Sequence, residues 1–403
     1  MYVRHKSGAL RVVAILAAAS GLAGIGGPAQ AFTIGGGPDW EMHWDNTLSY
    51  NLGVRMQGID DRIGNNPVFQ ESEYKFSEAG DLVTNRVALL SEFDAVYQDK
   101  LGFRVSGSAW KDFAYDDDVE YNPGNAAPAF PADFFGPGSP AVPATPYSAL
   151  GSRSNGKYGS YTKRFYIQGA QLLDAFVFAN FDIAGQPSSI RAGRVTQFWG
   201  NALIFGAQGI NYAQNGADFI KEAAAPGTQA KELAIPRAQL LFQTALSPTL
   251  GFAAQYFFEF QGNRLPEGGT YLGPVGFLFE GPDQAFGGQL TRGDDYEPDE
   301  VNNNFGVRMA WSPEALRGTL AAYYRRLDET QPWAPLFAAD GSYHLAYADK
   351  VDLLGISLDK QVGPYSTGFE VSYRTDTALN RATGPLPSDL HGTEGARGDV
   401  LNV

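Results

Sequence analysis

The stretch Asn46 to Gly58 reads NTLSYNLGVRMQG, and it alternates. Leu48, Tyr50, Leu52, Val54 and Met56 are apolar, whereas Thr47, Ser49, Asn51, Gly53, Arg55 and Gln57 are small or polar. Successive side chains leave a β-strand on opposite sides, so this two-residue period specifies a strand with one greasy face and one wet face. The pattern returns along the chain. Leu101, Phe103, Val105, Gly107 and Ala109 alternate with Gly102, Arg104, Ser106 and Ser108; Leu250, Phe252, Ala254, Tyr256, Phe258 and Phe260 alternate with Gly251, Ala253, Gln255, Phe257, Glu259 and Gln261. Phe305 to Trp311 and Tyr365 to Tyr373 repeat it, with shorter matches at Leu320 to Tyr324 and Leu354 to Leu358. No sustained heptad competes with this period.

What the greasy faces touch is argued from their ends and from the N-terminus. Aromatic residues close the apolar rows, Phe305 with Trp311 and Tyr365 with Tyr373, with Tyr50 in the first row. Eight residue steps span about 26 Å along a strand, or roughly 20 Å once tilted, close to the apolar band of an outer-membrane barrel with its aromatic girdles. Residues 1–31 read as a secretory signal peptide: Arg4, Lys6 and Arg11, an apolar run from Val12 to Ile25, and the small-x-small site Ala29-Gln-Ala31. Without that segment the chain has 27 basic against 44 acidic residues, a net charge of −17, which argues against nucleic acid as a partner. Cysteine is absent, removing disulfides, thiolate metal sites and thiol nucleophiles together. The best later apolar run, Leu172 to Asn180, carries Asp174 and is too short for a transmembrane helix.

The expected fold is therefore an all-β, antiparallel transmembrane β-barrel over residues 32–403, of roughly 12–16 strands, closed because an open edge leaves backbone groups unpaired in lipid. Unequal connectors suit short turns on one side and long loops on the other, with long loops at 60–85, 111–165, 262–300 and 328–350. Ala213 to Pro236 reads as an irregular to helical insert that folds into the pore or over its mouth.

Candidate chemistry is sparse. Gly151 to Lys157 matches GxxxxGK, but Tyr158 stands where a magnesium-binding hydroxyl is needed. His43, His344 and His391 lack metal-motif spacing, and no GxSxG elbow is present, so no catalytic residue, metal or cofactor is assigned. The acidic runs Asp116-Asp-Asp118 with Glu120, and Asp294 to Glu300, lack regular calcium-ligand spacing and read as solvated loop charge, with calcium or lipopolysaccharide bridging as the rival. The distinctive set lies on the wet phase: Arg55, Arg104, Arg308, Arg325 and Arg374, with Glu259, Asp359 and Glu370. In a closed wall these residues line one lumen, either as a salt-bridge ladder that stiffens it or as a field focused on a passing anion.

Three stretches in the middle of the chain, Gln171 to Asp182 (QLLDAFVFANFD), Ile190 to Asn211 (IRAGRVTQFWGNALIFGAQGIN) and Ala225 to Leu240 (APGTQAKELAIPRAQL), together with WDNTLSYNLGVR and VSYRTDTALN, resemble the proteobacterial outer-membrane family designated domain of unknown function 1302. Asp174, Arg191, Gly193, Arg194, Trp199 and Gly200 carry the motif. The resemblance implies a barrel in the cell outer membrane, inserted by the barrel-assembly machinery and bordered by lipopolysaccharide. It further implies cooperation with an outer-membrane lipoprotein and an inner-membrane exporter of the resistance-nodulation-division type, with lipids, sterol-like molecules or hydrocarbons as cargo. It implies no reaction. Asn201 follows Trp199-Gly200 where the family carries Glu, and the chain ends before the family does, so the last hairpins are expected to be missing. The reading that follows is passage or export-linked handling of a small hydrophobic molecule; a lipid-active barrel hydrolase and a soluble secreted β-sandwich or solenoid are the rivals.

Overall fold

In a computed structural model, residues 32–33, 37–64, 74–122, 156–201, 208–225, 230–273, 304–333, 341–379 and 395–403 are described, with shorter pieces of the connectors between them. The proposed signal segment, His391 and residues 151–155 of the GxxxxGK match lie outside the described residues. One antiparallel sheet of 13 strands organises the chain, each strand beside its sequence neighbour. In order these are β1 (Phe32–Thr33), β2 (Trp40–Val54), β3 (Leu82–Tyr97), β4 (Leu101–Asp112), β5 (Gln168–Ile183), β6 (Gln186–Val195), β7 (Arg237–Ser247), β8 (Leu250–Phe257), β9 (Phe305–Trp311), β10 (Gly318–Leu327), β11 (Val351–Val362), β12 (Tyr365–Ala378) and β13 (Arg397–Asn402).

The connectors alternate strictly in length. Turns at 98–100, 184–185, 248–249, 312–317 and 363–364 lie at one end of the sheet, and the connectors 55–81, 113–167, 196–236, 258–304, 328–350 and 379–396 at the other. Positive backbone angles at Gln98, Asp99, Ala184, Gly185 and Gly363 let the short turns reverse direction within two or three residues.

The expected closure is corrected. Strand β13 pairs only with β12, and β1 and β2 form the opposite edge, so the described strands make an open sheet. The two edges are unequal ladders: β2 offers 15 residues and β13 six, with a register break between Arg374 and Thr377.

Directly paired residues point to the same side of a sheet, so the register assigns every wall residue to a face. One face carries Leu48, Tyr50, Val87, Val105, Val177, Met309, Leu320, Leu354, Ile356, Phe369 and Leu401, all exposed. Leu48 is 74% exposed and Tyr365 72%. Nothing in the described chain folds over this bare face. Aromatic residues collect at both of its ends: Trp40, Tyr97, Trp311 and Tyr365 toward the short turns, and Tyr50, Tyr256, Phe305, Tyr324 and Tyr373 toward the long connectors. The five residues expected at a girdle, Tyr50, Phe305, Trp311, Tyr365 and Tyr373, all fall in these two belts.

The opposite face is covered by the long connectors. Clusters of buried apolar residues lie there, among them Trp199, Ile210, Leu241, Ala253, Ala321 and Tyr323. Phe260 departs from the expected outward row. Strand β8 ends at Phe257, and Phe260 turns into a cluster with Leu345 and Tyr347, its ring 5.0 Å from the Tyr347 ring.

The loop acids are spoken for by lysines. Lys75 holds Asp116 at 2.6 Å and reaches Glu120 at 3.6 Å, Lys157 holds Asp118 at 2.9 Å, and Lys163 holds Asp117 at 3.2 Å. Among the described residues no cluster of three or more acids and histidines is arranged for a metal ion. Glu280 is different. Burial, aided by the nearby Asp295, pushes its carboxyl up to about 7, with Arg292 at 3.6 Å opposing the shift. A raised folded-state value means the protonated carboxyl suits this packing. Its contribution is complete below about pH 4.5 and is lost as pH rises through 7. Proteolysis of the 258–304 connector is therefore expected to accelerate between pH 5 and 8, and Glu280→Gln to flatten that dependence.

Candidate functional site

The covered face is organised around residues 196–201, which follow the end of β6, and residues 208–215, both of which lie against the wall. Their entry is set by a bulge in β5, where the register shifts opposite Val105 and Gly107 so that Leu173 and Asp174 both stand against Ser106. The Asp174 amide donates to the Ser106 hydroxyl at 3.0 Å, and its carboxylate accepts the Thr196 amide at 3.0 Å. The last wall residue is thereby turned inward. Gly193, two residues earlier, has φ +131°, and a Cβ there would strike the Ala175 carbonyl and the Phe176 backbone. Only glycine lets β6 lie this close to β5.

Both ends of the segment are then tied together. The Asn215 side chain donates to the Gln197 carbonyl at 2.7 Å, and the Trp199 amide donates to the Gln214 side chain at 2.7 Å, which in turn donates to Gln255 of β8 at 2.8 Å. Trp199 packs into the wall, its ring 6.0 Å from that of Tyr323. Gly200 has φ +83°, and a Cβ would meet Ile210 and the Glu370 carboxylate.

Three wall residues hold Asn201, Ile210 and Tyr212. Glu370 of β12 accepts the amides of Asn201 at 2.6 Å and Ile210 at 2.8 Å, one on each oxygen. Arg325 of β10 is fully buried and donates from one nitrogen to the carbonyls of Ile210 at 2.9 Å and Tyr212 at 2.6 Å. Arg374 lies over the Tyr212 ring, 3.6 Å from its centroid. Arg237 of β7, also fully buried, adds a bond to the Ala213 carbonyl at 3.0 Å and two to the Glu259 carbonyl, with Phe257 beneath its guanidinium at 4.2 Å. These are charge-assisted bonds to backbone atoms, stronger than neutral ones.

The eight wet-phase residues therefore do not gather in one ring. Arg325, Arg374 and Glu370 converge on the in-folded segment. Arg104 belongs to a separate network with Glu92 at 2.5 Å and Asp94 and Asp174 at 3.8 Å each. Arg308 lines a cavity of about 600 Å³ near the short turns, 3.3 Å from the Tyr323 hydroxyl, and Asp359 is exposed at the same end. Arg55 and Glu259 lie just beyond strand ends. The first donates to the carbonyls of Gln57 and Phe76 and sits over Tyr271; the second bridges Arg194 at 2.6 Å and accepts the Ala238 amide at 2.9 Å. Register puts Arg194 on the bare-face side and Arg191 on the covered side, over the Phe176 ring. Of the histidines, His43 faces Asp94 at 3.2 Å, while His344 touches the Ser342 hydroxyl and the Asp294 carbonyl at 2.6 Å each.

The insert continues along the same face. Helix α1 (Phe219–Ala224) is capped by Asp218, whose side chain accepts the Lys221 amide at 2.9 Å, and Asp218 also pairs with Arg264 at 2.7 Å. The Ala224 carbonyl accepts the Thr84 hydroxyl, and Lys231 of α2 (Ala230–Leu233) pairs with Glu92. Two short helices thus fall within Ala213 to Pro236, as the irregular to helical reading expected, and they contact the wall at Thr84 and Glu92. Arg237, Gln214 and Gln255 had no marker in the sequence, because their partners are backbone and amide groups distant along the chain.

Comparison with curated proteins finds no match. Among solved structures, one described as the high-pH structure of Pseudomonas putida OprB aligns with 84% of this chain and 75% of its own, at 9% identity and a TM-score of 0.25. The family model described as "Protein of unknown function (DUF1302)" matches residues 12–398. The chain, matched over nearly all its length, belongs to that family.

Proposed function

We propose that the chain is an outer-membrane wall protein that passes, or hands on for export, a small hydrophobic molecule, with residues 196–201 and 208–215 as its internal plug. One observation carries the reading: a single meandering sheet shows a continuous exposed apolar face with aromatic belts at both ends, while its polar face is occupied by its own connectors. Exposed apolar area on this scale is foreign to a soluble surface and ordinary for a wall in lipid. Further strands or a second edge complete the wall in the membrane, since lipid tolerates no open ladder.

The hydrophobic cargo follows from what borders the plug. Arg325 and Arg237 donate to carbonyls of the segment and Arg374 stacks on its Tyr212 ring, while the apolar part of the contact between plug and wall is made by Trp199, Ile210, Leu241 and Tyr323. A route opened along that apolar part of the contact offers rings and aliphatic groups to a nonpolar molecule. In vesicles carrying the full chain, a nonpolar fluorescent dye is expected to exchange across the bilayer faster than in protein-free vesicles, and a charged sugar is not. Equal rates for the dye with and without protein, in vesicles shown to hold folded chain, contradict the reading.

A further inference from the structure

A second site lies on the covered face, away from the plug, between the wall and the α1–α2 insert. We propose that Arg86 and Trp110 form a binding site there for a small carboxylate. Arg86 of β3 is 1% exposed and forms no hydrogen bond or ion pair among the described residues; its Nη1 is buried without an acceptor. Its guanidinium carbon sits 5.0 Å over the ring of Trp110, whose own Nε1–H is likewise buried and unused. Both border a pocket of about 100 Å³ whose other walls include Ser49, Asn51, Leu90 and Thr228.

The neighbouring charges are already committed. Lys221, 5.1 Å from the Trp110 ring centroid, donates to the Ser108 hydroxyl at 3.1 Å and to Glu232 at 3.3 Å. Asp112 accepts the amides of Asn85 and Ala114 at 2.9 Å each and the Thr84 hydroxyl at 3.5 Å, and makes no ion pair with Arg86. What remains is a permanently charged, desolvated planar donor beside a second free donor. That combination is costly when empty and matched by a planar carboxylate, which takes two in-plane N–H groups from one guanidinium. The volume limits the ligand. At about 100 Å³ the pocket suits a short-chain acid rather than a long acyl chain.

The test is equilibrium binding of radiolabelled butyrate to the detergent-solubilised full chain, with acetate, propionate and neutral butyramide as competitors. Saturable binding at one site per chain is expected, displaced by the two acids and unaffected by butyramide. Arg86→Gln is expected to weaken affinity by about tenfold or more, the value of a charged hydrogen bond. Trp110→Phe keeps an aromatic ring beneath the guanidinium and removes the indole donor, so a several-fold loss there reports the contact even where Arg86→Gln loosens the insert. No saturable butyrate binding, competition by butyramide equal to that by propionate, or unchanged affinity in both variants overturns the proposal and leaves a pocket for water.

Discussion

Ile356→Arg is expected to cost the folded protein about 2–4 kcal/mol in a bilayer, whereas Val362→Arg, six residues along the same strand, costs about 0–1 kcal/mol. Both side chains are on the bare face and almost equally exposed, 55% and 52%. They differ in depth: Ile356 pairs with Ala322 and Val371 in the middle of the wall, and Val362 pairs with Tyr365 beside a short turn. Were this face in water, both changes would fall within about 0.5 kcal/mol of neutral, because exposed positions away from special features tolerate substitution. Denaturant titrations of folding into phospholipid vesicles read the difference directly. The gap between the two variants, rather than either value alone, carries the meaning.

Glu370→Gln is expected to free the plug. The carboxylate accepts the amides of Asn201 and Ile210, one on each oxygen, and an amide side chain has one oxygen to offer and no charge. Losing one charge-assisted bond and weakening the other is worth about 1.5–3 kcal/mol, which raises the displaced population of the segment by about 10- to 150-fold. Single-channel recordings in planar bilayers are expected to show openings in Glu370→Gln that are rare in the unaltered chain. Asp359→Asn removes a charge on the same face that forms no hydrogen bond or ion pair with residues 196–201 or 208–215, and its recordings are expected to match the unaltered chain. Equal opening rates in Glu370→Gln and Asp359→Asn would mean that the segment is a fixed filling and not a gate.

The bare face was legible in the sequence and the covered face largely was not, for a physical reason. A face on which no other described segment packs selects side chains one at a time, so Leu48, Tyr50, Phe305, Trp311, Tyr365 and Tyr373 announce themselves by period and chemistry. A face covered by folded-back chain needs apolar residues too, and the alternation then blurs. Strand β3 shows this: Val87 and Leu89 on one side and Ala88 and Leu90 on the other read as a continuous apolar run. Phe260 misled in the opposite way, continuing the period of β8 after the strand had ended.

The arginines illustrate a second limit. Their phase was readable, but their partners were not, because Arg325 and Arg237 bind backbone carbonyls, which every residue possesses. Hence these two arginines hold the backbone of residues 210–213 where a ladder of side-chain pairs was expected. The motif residues fared better once placed: Asp174 turns the chain inward, Gly193 allows close strand approach, and Trp199-Gly200 fits the plug against Glu370.

The central claim is that the bare face meets hydrocarbon. Because the chain has no cysteine, single spin labels can be placed one at a time in the vesicle-reconstituted protein at Val307, Ile356, Asn51 and Asp359. Labels at Val307 and Ile356 are predicted to be relaxed by membrane-dissolved oxygen and shielded from an aqueous nickel chelate. Labels at Asn51 and Asp359 are predicted to show less oxygen and more chelate. The reverse pattern, or chelate access at all four positions, would contradict the account.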